Sequence, residues 1–165
     1  MSAGFFFAKT SMKRDPVLIP LSHDHHRILM CAQLIKADAP EYKGLPTEPI
    51  EKAGYTVTLF NDTILPHFDA EEKVVFPLIK GIGGELGKLA DELIEEHGAI
   101  REMISSLDGT VPDHLEQELD TLGKLLVKHV RREERILFQR MQMELSEEQI
   151  ALVGERLRTH FQRGN

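Results

Sequence analysis

The sequence predicts an all-α protein. It reads as an N-terminal arm over residues 1–20, an up-down-up-down four-helix bundle over 21–145 and a C-terminal helix over 146–165 packed on the bundle. Three observations predict this architecture. Apolar residues recur at helical spacing through four long stretches, short runs rich in Pro and Gly separate them, and no segment alternates as a strand would. At 165 residues, 41% hydrophobic and 28% charged, the chain has the length of one domain with a sizeable core.

Taken in order, residues 1–20 contain Pro16 and Pro20 and no sustained periodicity, as an extended arm would. The first helix runs from Leu21 to about Ala37, with Ile28, Leu29, Ala32 and Ile35 on one stripe and Ser22 or Asp24 as its N-cap. Pro40, Gly44, Pro46 and Pro49 mark the loop that follows. The second helix spans about 50–79 and holds Pro66, which removes a backbone donor and is expected to kink it. Gly81, Gly83 and Gly84 end it. The third helix, about 86–107, aligns Ala90, Leu93, Ile94, His97, Ile100 and Ile104. After a turn at Asp108-Gly109-Thr110-Val111-Pro112, the fourth helix covers about 113–144. The last segment opens with the capping-box pattern Ser146-Glu147-Glu148-Gln149 and sets Ile150, Val153, Leu157 and Phe161 on one face.

Composition narrows the chemistry. With 20 Lys+Arg against 27 Asp+Glu the net charge is −7, and no dense basic stripe offsets it, so nucleic acid is not an expected partner. No apolar run approaches the ~20 residues that a bilayer span needs, so no membrane partner is expected either. Phe5-Phe6-Phe7-Ala8 is short and has no basic residue before it, unlike a secretory signal; Met12 is an alternative start, and a cytoplasmic location is expected. The single cysteine, Cys31, cannot build a thiolate metal site and reads as a small core residue. Any metal must therefore be held by nitrogen and oxygen.

Eight histidines, at 23, 25, 26, 67, 97, 114, 129 and 160, are the unusual feature. The second helix carries His67-Phe68-Asp69-Ala70-Glu71-Glu72-Lys73-Val74-Val75-Phe76 and the fourth His129-Val130-Arg131-Arg132-Glu133-Glu134-Arg135-Ile136-Leu137-Phe138. Both reduce to H-x-x-x-E-E-[KR]-[VI]-[VL]-F. Residues four apart on a helix differ by about 40° and about 6 Å, so each His and its first Glu project toward one point. The stripe around them is otherwise apolar: Phe60, Ile64, Val74, Val75 and Leu78 in one helix, and Leu122, Leu125, Leu126, Ile136 and Leu137 in the other. A carboxylate turned into a core costs several kcal/mol unless something strong compensates it. Two such pairs face to face imply a cation.

His97 adds an imidazole from the third helix, and the first helix offers His23, His25 and His26. By phase His25 lies about 40° from the centre of the apolar stripe, His26 about 140° and His23 about 200°. His25 is the inward candidate, and a shifted helix start or a second ligand from this cluster brings in His26 or His23. The candidate metal ligands are thus His25, His26, His67, Glu71, His97, His129 and Glu133. Imidazole and carboxylate without thiolate suit iron or manganese in roughly octahedral geometry better than a closed tetrahedral zinc site. Bridging glutamates and a bridging oxo or hydroxo group leave about two positions open for a small ligand. Glu72 and Glu134 are expected in solvent or paired with Lys73, Arg131 or Arg135, and His114 and His160 at the surface. Phe76 and Phe138 are expected to wall the pocket; Met103, Met141 and Met143 read as filling.

These motifs resemble the hemerythrin-like family, the HHE cation-binding domain. The likeness rests on Leu21-Ser22-His23-Asp24-His25-His26, His67 through Glu72 with Phe76-Pro77 after it, Glu96-His97, and His129 through Phe138, and it spans about 20–142. It implies a four-helix bundle around a non-haem, oxygen-bridged centre of two iron ions, in preference to manganese, with family roles falling on His67, Glu71, His97, His129 and Glu133 and also on His25. The function it implies is binding of a small diatomic ligand, O2 or NO, for sensing, storage or delivery. The alternative is a di-iron oxidoreductase acting on O2, peroxide or NO, or linked to iron–sulfur repair, with a redox protein as partner. Oxygen-carrying members place two histidines four apart on the third helix, whereas Leu93 and Arg101 flank His97 here. That leaves an extra open position and turns the expectation from simple O2 carriage toward redox or NO chemistry. The cysteine-bearing N-terminal segment of some iron–sulfur repair relatives is absent.

Overall fold

The computed structural model describes residues 13–163. The Phe5-Phe6-Phe7-Ala8 run and Met12 lie outside the described residues. No strand occurs among those described, and five helical rods account for the fold. They are α1 (Ile19–Ile35), α2 (residues 49–82), α3 (Gly84–Ser106), α4 (residues 112–144) and α5 (Glu147–Arg163). None is long and apolar enough to cross a membrane.

The connections follow from local chemistry. Helix α1 starts earlier than its apolar pattern suggests, because Asp15 caps a 3-10 turn at Pro16–Leu18 and Pro20 fits a first turn that needs no N–H there. Ser22 and Asp24 therefore sit inside α1 and do not cap it. Gly83, at φ 80°, separates α2 from α3 in a conformation that disfavours a side chain, and its N–H closes onto the Ile79 carbonyl at 3.2 Å. At the start of α5 the capping box closes both ways, Ser146 N–H to Gln149 Oε1 at 2.9 Å and Gln149 N–H to Ser146 Oγ at 3.2 Å.

Successive helices run antiparallel. Asp24 meets His67 while Cys31 meets Thr56; Glu72 meets His97 while Lys80 meets Asp91; His25 meets Glu134 while Ala37 meets Asp120. Helices α1 and α4 approach closely at Gly123, where a Cβ would stand 2.8 Å from the Ala32 carbonyl oxygen.

Three π-helical turns, Phe60–Ile64, Glu71–Val75 and Glu133–Leu137, interrupt the regular helix. Two precede prolines: Pro66 and Pro77 each stand second in the α-helical turn that follows, where the wider turn makes room for a residue without an N–H. The expected kink at Pro66 is thus taken up as a π turn within a continuous rod. The other consequence is one of phase. Nine residues after a histidine, an ideal helix points to the opposite face, yet the inserted residue brings Phe76 and Phe138 fully into the core. The same shift turns Ile136, expected on the apolar stripe, out to solvent.

The core is in two parts. One gathers Ile28, Ile35, Ile64, Phe68, Ile100 and Leu126; the other gathers Leu21, Val75, Phe76, Leu93, Leu137 and Phe138, closed over by Val153 and Leu157 of α5. His25, His67, Glu71, His97, His129 and Glu133 are the buried polar band of the bundle. Cys31 lies in the first cluster, 3.7 Å from Thr56, and burial pushes its thiol up to about 11. Met141 is core and Met143 exposed, while His160 is half-buried, 3.5 Å from Asp69. The expected absence of a basic stripe is incorrect: Lys124, Lys128, Arg131, Arg132 and Arg135 line one groove on α4. Net charge averages over faces that the helical period separates.

Candidate metal centre

Each of the four long helices contributes one imidazole to the band, and α2 and α4 also contribute a glutamate. All six residues are at most 1% exposed. Their ligand atoms fall into two groups, His25, His67, Glu71 and Glu133 in one and Glu71, His97, His129 and Glu133 in the other, with the atoms of each group within 4.8 Å of one another. His26 and His23 are exposed on α1 and belong to neither group, and His114 is likewise exposed. Helix phase decides this: the turn that carries His25 inward carries its neighbours out.

The two glutamates are shared in a particular way. Glu133 directs Oε2 at His25 Nε2, 2.8 Å away, and Oε1 at His129 Nε2, 3.2 Å away. Glu71 directs Oε1 at His67 Nε2 and Oε2 at His97 Nε2, each at 3.4 Å. Every carboxylate thus offers one oxygen to each histidine pair.

On the outer side, each ring nitrogen Nδ1 meets a carboxylate. His25 donates to Glu134 at 2.6 Å, His67 to Asp24 at 3.3 Å, His97 to Glu72 at 2.7 Å and His129 to Glu96 at 2.9 Å. The four bonds run round the bundle from helix to neighbouring helix. Three of the carboxylates are held in turn by guanidinium groups: Glu134 by Arg14, Glu72 by Arg101 and Glu96 by Arg132. Glu72 and Glu134 were expected in solvent or on Lys73, Arg131 or Arg135; they orient imidazoles instead, and Lys73 pairs with Asp69. Each stands one residue beyond an inward glutamate, about 100° round the helix, and so faces the adjoining rod.

A carboxylate accepts, so Nδ1 carries the proton and a neutral ring presents a bare lone pair at Nε2. Four such lone pairs and four carboxylate oxygens then converge with no donor among them. His97 Nε2, His129 Nε2 and all four oxygens of Glu71 and Glu133 have no hydrogen-bond partner among the described residues, and His25 Nε2 stands 3.0 Å from His67 Nε2. Without a metal, the rings compensate by taking up protons. Burial opposes charge on His129, but Glu133 and Glu96 outweigh it and raise the ring to about 10. His25, His67 and His97 are raised for the same reason, and Glu71 and Glu133 are lowered despite burial and mutual repulsion. Outside them, burial also opposes ionisation of Glu134 and Glu96, yet their partners hold each carboxyl at about 2. The donor chemistry therefore fits cations: orphaned acceptors, nitrogen and oxygen only, rings pre-set in the ligating tautomer.

Aromatic rings enclose the band. Phe68 stacks on His97 at 3.6 Å between centroids, Phe138 stacks on His25 at 5.5 Å, and Phe76 tilts over His97. Phe68 was not singled out from the sequence, although it directly follows His67. Comparison with protein families matches residues 19–141 to the Hemerythrin HHE cation binding domain. The chain belongs to the hemerythrin family. This places the buried His/Glu cluster in a domain type that binds metal cations, within an all-helical bundle. Comparisons with curated proteins and with solved structures returned no match. Relative to the two-histidine third helix of oxygen-carrying hemerythrins, Arg101 here reaches back to Glu72 at 2.8 Å and lies over the Phe68 ring.

Proposed function

We propose that the chain is a non-haem di-iron protein that binds a small diatomic ligand, O2 or NO, for sensing, storage or delivery. The observation that carries this reading is the sharing of Glu71 and Glu133, each with one oxygen turned to His25 and His67 and the other to His97 and His129. Two cations held side by side account for that arrangement; a single ion leaves half of it unexplained. Iron there supplies reversible coordination of diatomic molecules and one-electron redox chemistry. The chain's own residues do the rest. His25, His67, His97 and His129 bind through Nε2, and Glu134, Asp24, Glu72 and Glu96 fix their tautomers and orientation. Phe68, Phe76 and Phe138 keep bulk water away, and burial of all six ligating side chains restricts entry to small molecules.

One observation favours a second reading, an oxidoreductase acting on O2, peroxide or NO. Arg101, four residues after His97, bonds Glu72, and each group of ligand atoms among the described residues holds two imidazoles and no third, so a metal held there would have fewer protein ligands to displace for redox chemistry. Metal analysis and an absorption spectrum of protein purified without chelator test the first reading. Two irons per chain with near-ultraviolet oxo-to-iron bands are expected; a colourless protein that takes up no iron on reconstitution refutes both readings. Catalytic consumption of reductant under steady-state turnover would select the enzyme.

A further inference from the structure

Six of the 20 Lys and Arg residues of this acidic chain line one groove. This groove of about 540 Å³, on the outer face of α4 beside the end of α1, is lined by Lys36, Lys124, Lys128, Arg131, Arg132 and Arg135, with Val127 and Ile136 between them. Residues 124, 128, 131 and 135 share one helix face in a row about 16 Å long. Like charges at that spacing repel. Nevertheless Arg131 and Arg135 are exposed and make no ion pair among the described residues, and Lys36 donates only to the neutral Gln33, at 3.1 Å. Lys124, Lys128 and Arg132 pair with Asp120, Glu96 and Glu92 within the fold, but fold stability gives no account of Lys36, Arg131 and Arg135, whereas an anionic partner does.

The shape of the patch selects the partner. A single small anion is too short for the row, and a long polyanion would run off it onto a surface belonging to a chain of net charge −7. Ile136, 44% exposed among arginines, supplies the mixture of apolar centre and Arg found where proteins meet.

The groove is also wired to the centre. Arg132 Nη1 donates to Glu96 Oε1 at 2.6 Å, Lys128 Nζ lies 3.3 Å from the same oxygen, and Glu96 Oε2 accepts from His129 Nδ1 at 2.9 Å. Two side chains thus lead from the groove to a ring that faces Glu133. We propose that this groove docks an acidic protein, and that the docked protein is the one-electron donor of the centre; the second part rests on the iron reading above. In that step the carrier loses one electron and one metal ion gains it, with no bond made or broken.

The test uses the metal-loaded full chain and, as probe, an acidic plant-type [2Fe–2S] ferredoxin, with affinity measured calorimetrically at about 20 and about 200 mM salt. Binding is expected at low salt, weakened about tenfold or more at high salt. The double substitution Arg131→Glu and Arg135→Glu should lower low-salt affinity by about tenfold or more while metal content and spectrum stay unchanged. No binding at low salt, equal affinity in the reversed variant, or tighter binding of a short DNA duplex through the same residues overturns the docking surface. Zinc-loaded protein separates the two claims, since the groove does not depend on redox chemistry. Docking to both forms with no electron delivered to the iron form overturns the donor assignment alone, and failure to load iron overturns the metal reading while zinc-loaded protein still tests the groove.

Discussion

Replacing Glu134 by Gln should weaken one metal position and spare the other. Glu134 accepts from His25 Nδ1 and from Ser22 Oγ, both at 2.6 Å, and is held by Arg14 at 2.6 Å. A hydrogen bond to a charged group contributes about 1.5–3 kcal/mol. Glu134 is 26% exposed on its side chain, which screens part of that, and the Gln amide oxygen still accepts one neutral bond. Roughly 1–1.5 kcal/mol remains, or about 5–10-fold in affinity at the His25/His67 position. His97 and His129 are oriented by Glu72 and Glu96 and should hold their ion as before. Anaerobic titration of iron(II)-loaded protein with a competing chelator, followed by iron per chain, reads the difference. The variant should release one ion at about 5–10-fold lower chelator and retain the second. Release of both ions together at the wild-type chelator concentration, or equal weakening of both, would refute the assignment of these carboxylates to separate positions.

Glu133→Ala should abolish stoichiometric loading of both ions, because Glu133 belongs to both ligand groups, whereas His97→Ala should leave one ion; mass-spectrometric metal analysis distinguishes them. Gly123→Ala should destabilise the fold by about 1–2 kcal/mol in spite of Ala's helix propensity, because the new methyl meets the Ala32 carbonyl at 2.8 Å, a backbone neighbour that cannot turn aside. Gly54→Ala, with nothing within 4 Å, should instead raise the denaturant midpoint, by about 0.4–1 kcal/mol of stability. In metal-stripped protein the raised His129 contributes stability fully below about 6.5 and loses it as pH rises through about 10. The urea midpoint of that form should therefore fall across this window, and metal loading should remove the fall, since ions replace the protons.

Much of the centre was legible because burial and spacing act together. His67 with Glu71, and His129 with Glu133, stand four apart in stripes that are otherwise apolar, so their inward direction follows from the helical period alone. The choice of His25 over His26 was legible by the same arithmetic. What escaped depends on insertions and on neighbours. A count of 3.6 residues per turn through Glu133–Leu137 puts Ile136 in the core, but the π turn there adds one residue and turns it outward. A charge total does not reveal the basic groove, and the partners of Glu72 and Glu134 lie on other helices, beyond any single-helix rule.

The outer carboxylates nonetheless left a trace in the numbering. Each neighbours an inward side chain of the buried cluster, but on alternating sides: Asp24 precedes His25, Glu72 follows Glu71, Glu96 precedes His97 and Glu134 follows Glu133. Viewed from one end of the bundle, residue number advances in opposite rotational senses on rods that run up and rods that run down. One step back on α1 and α3 and one step forward on α2 and α4 therefore turn the side chain the same way round the bundle. That common sense of rotation lets Asp24 reach α2, Glu72 reach α3, Glu96 reach α4 and Glu134 return to α1, so that one closed ring orients all four imidazoles. An up-down-up-down topology requires this alternation of any ring of partners built from adjacent positions, and parallel helices would require the same offset on every rod. The register of these carboxylates is thus set by the helix directions, as the inward direction of the six buried side chains is set by the helical period.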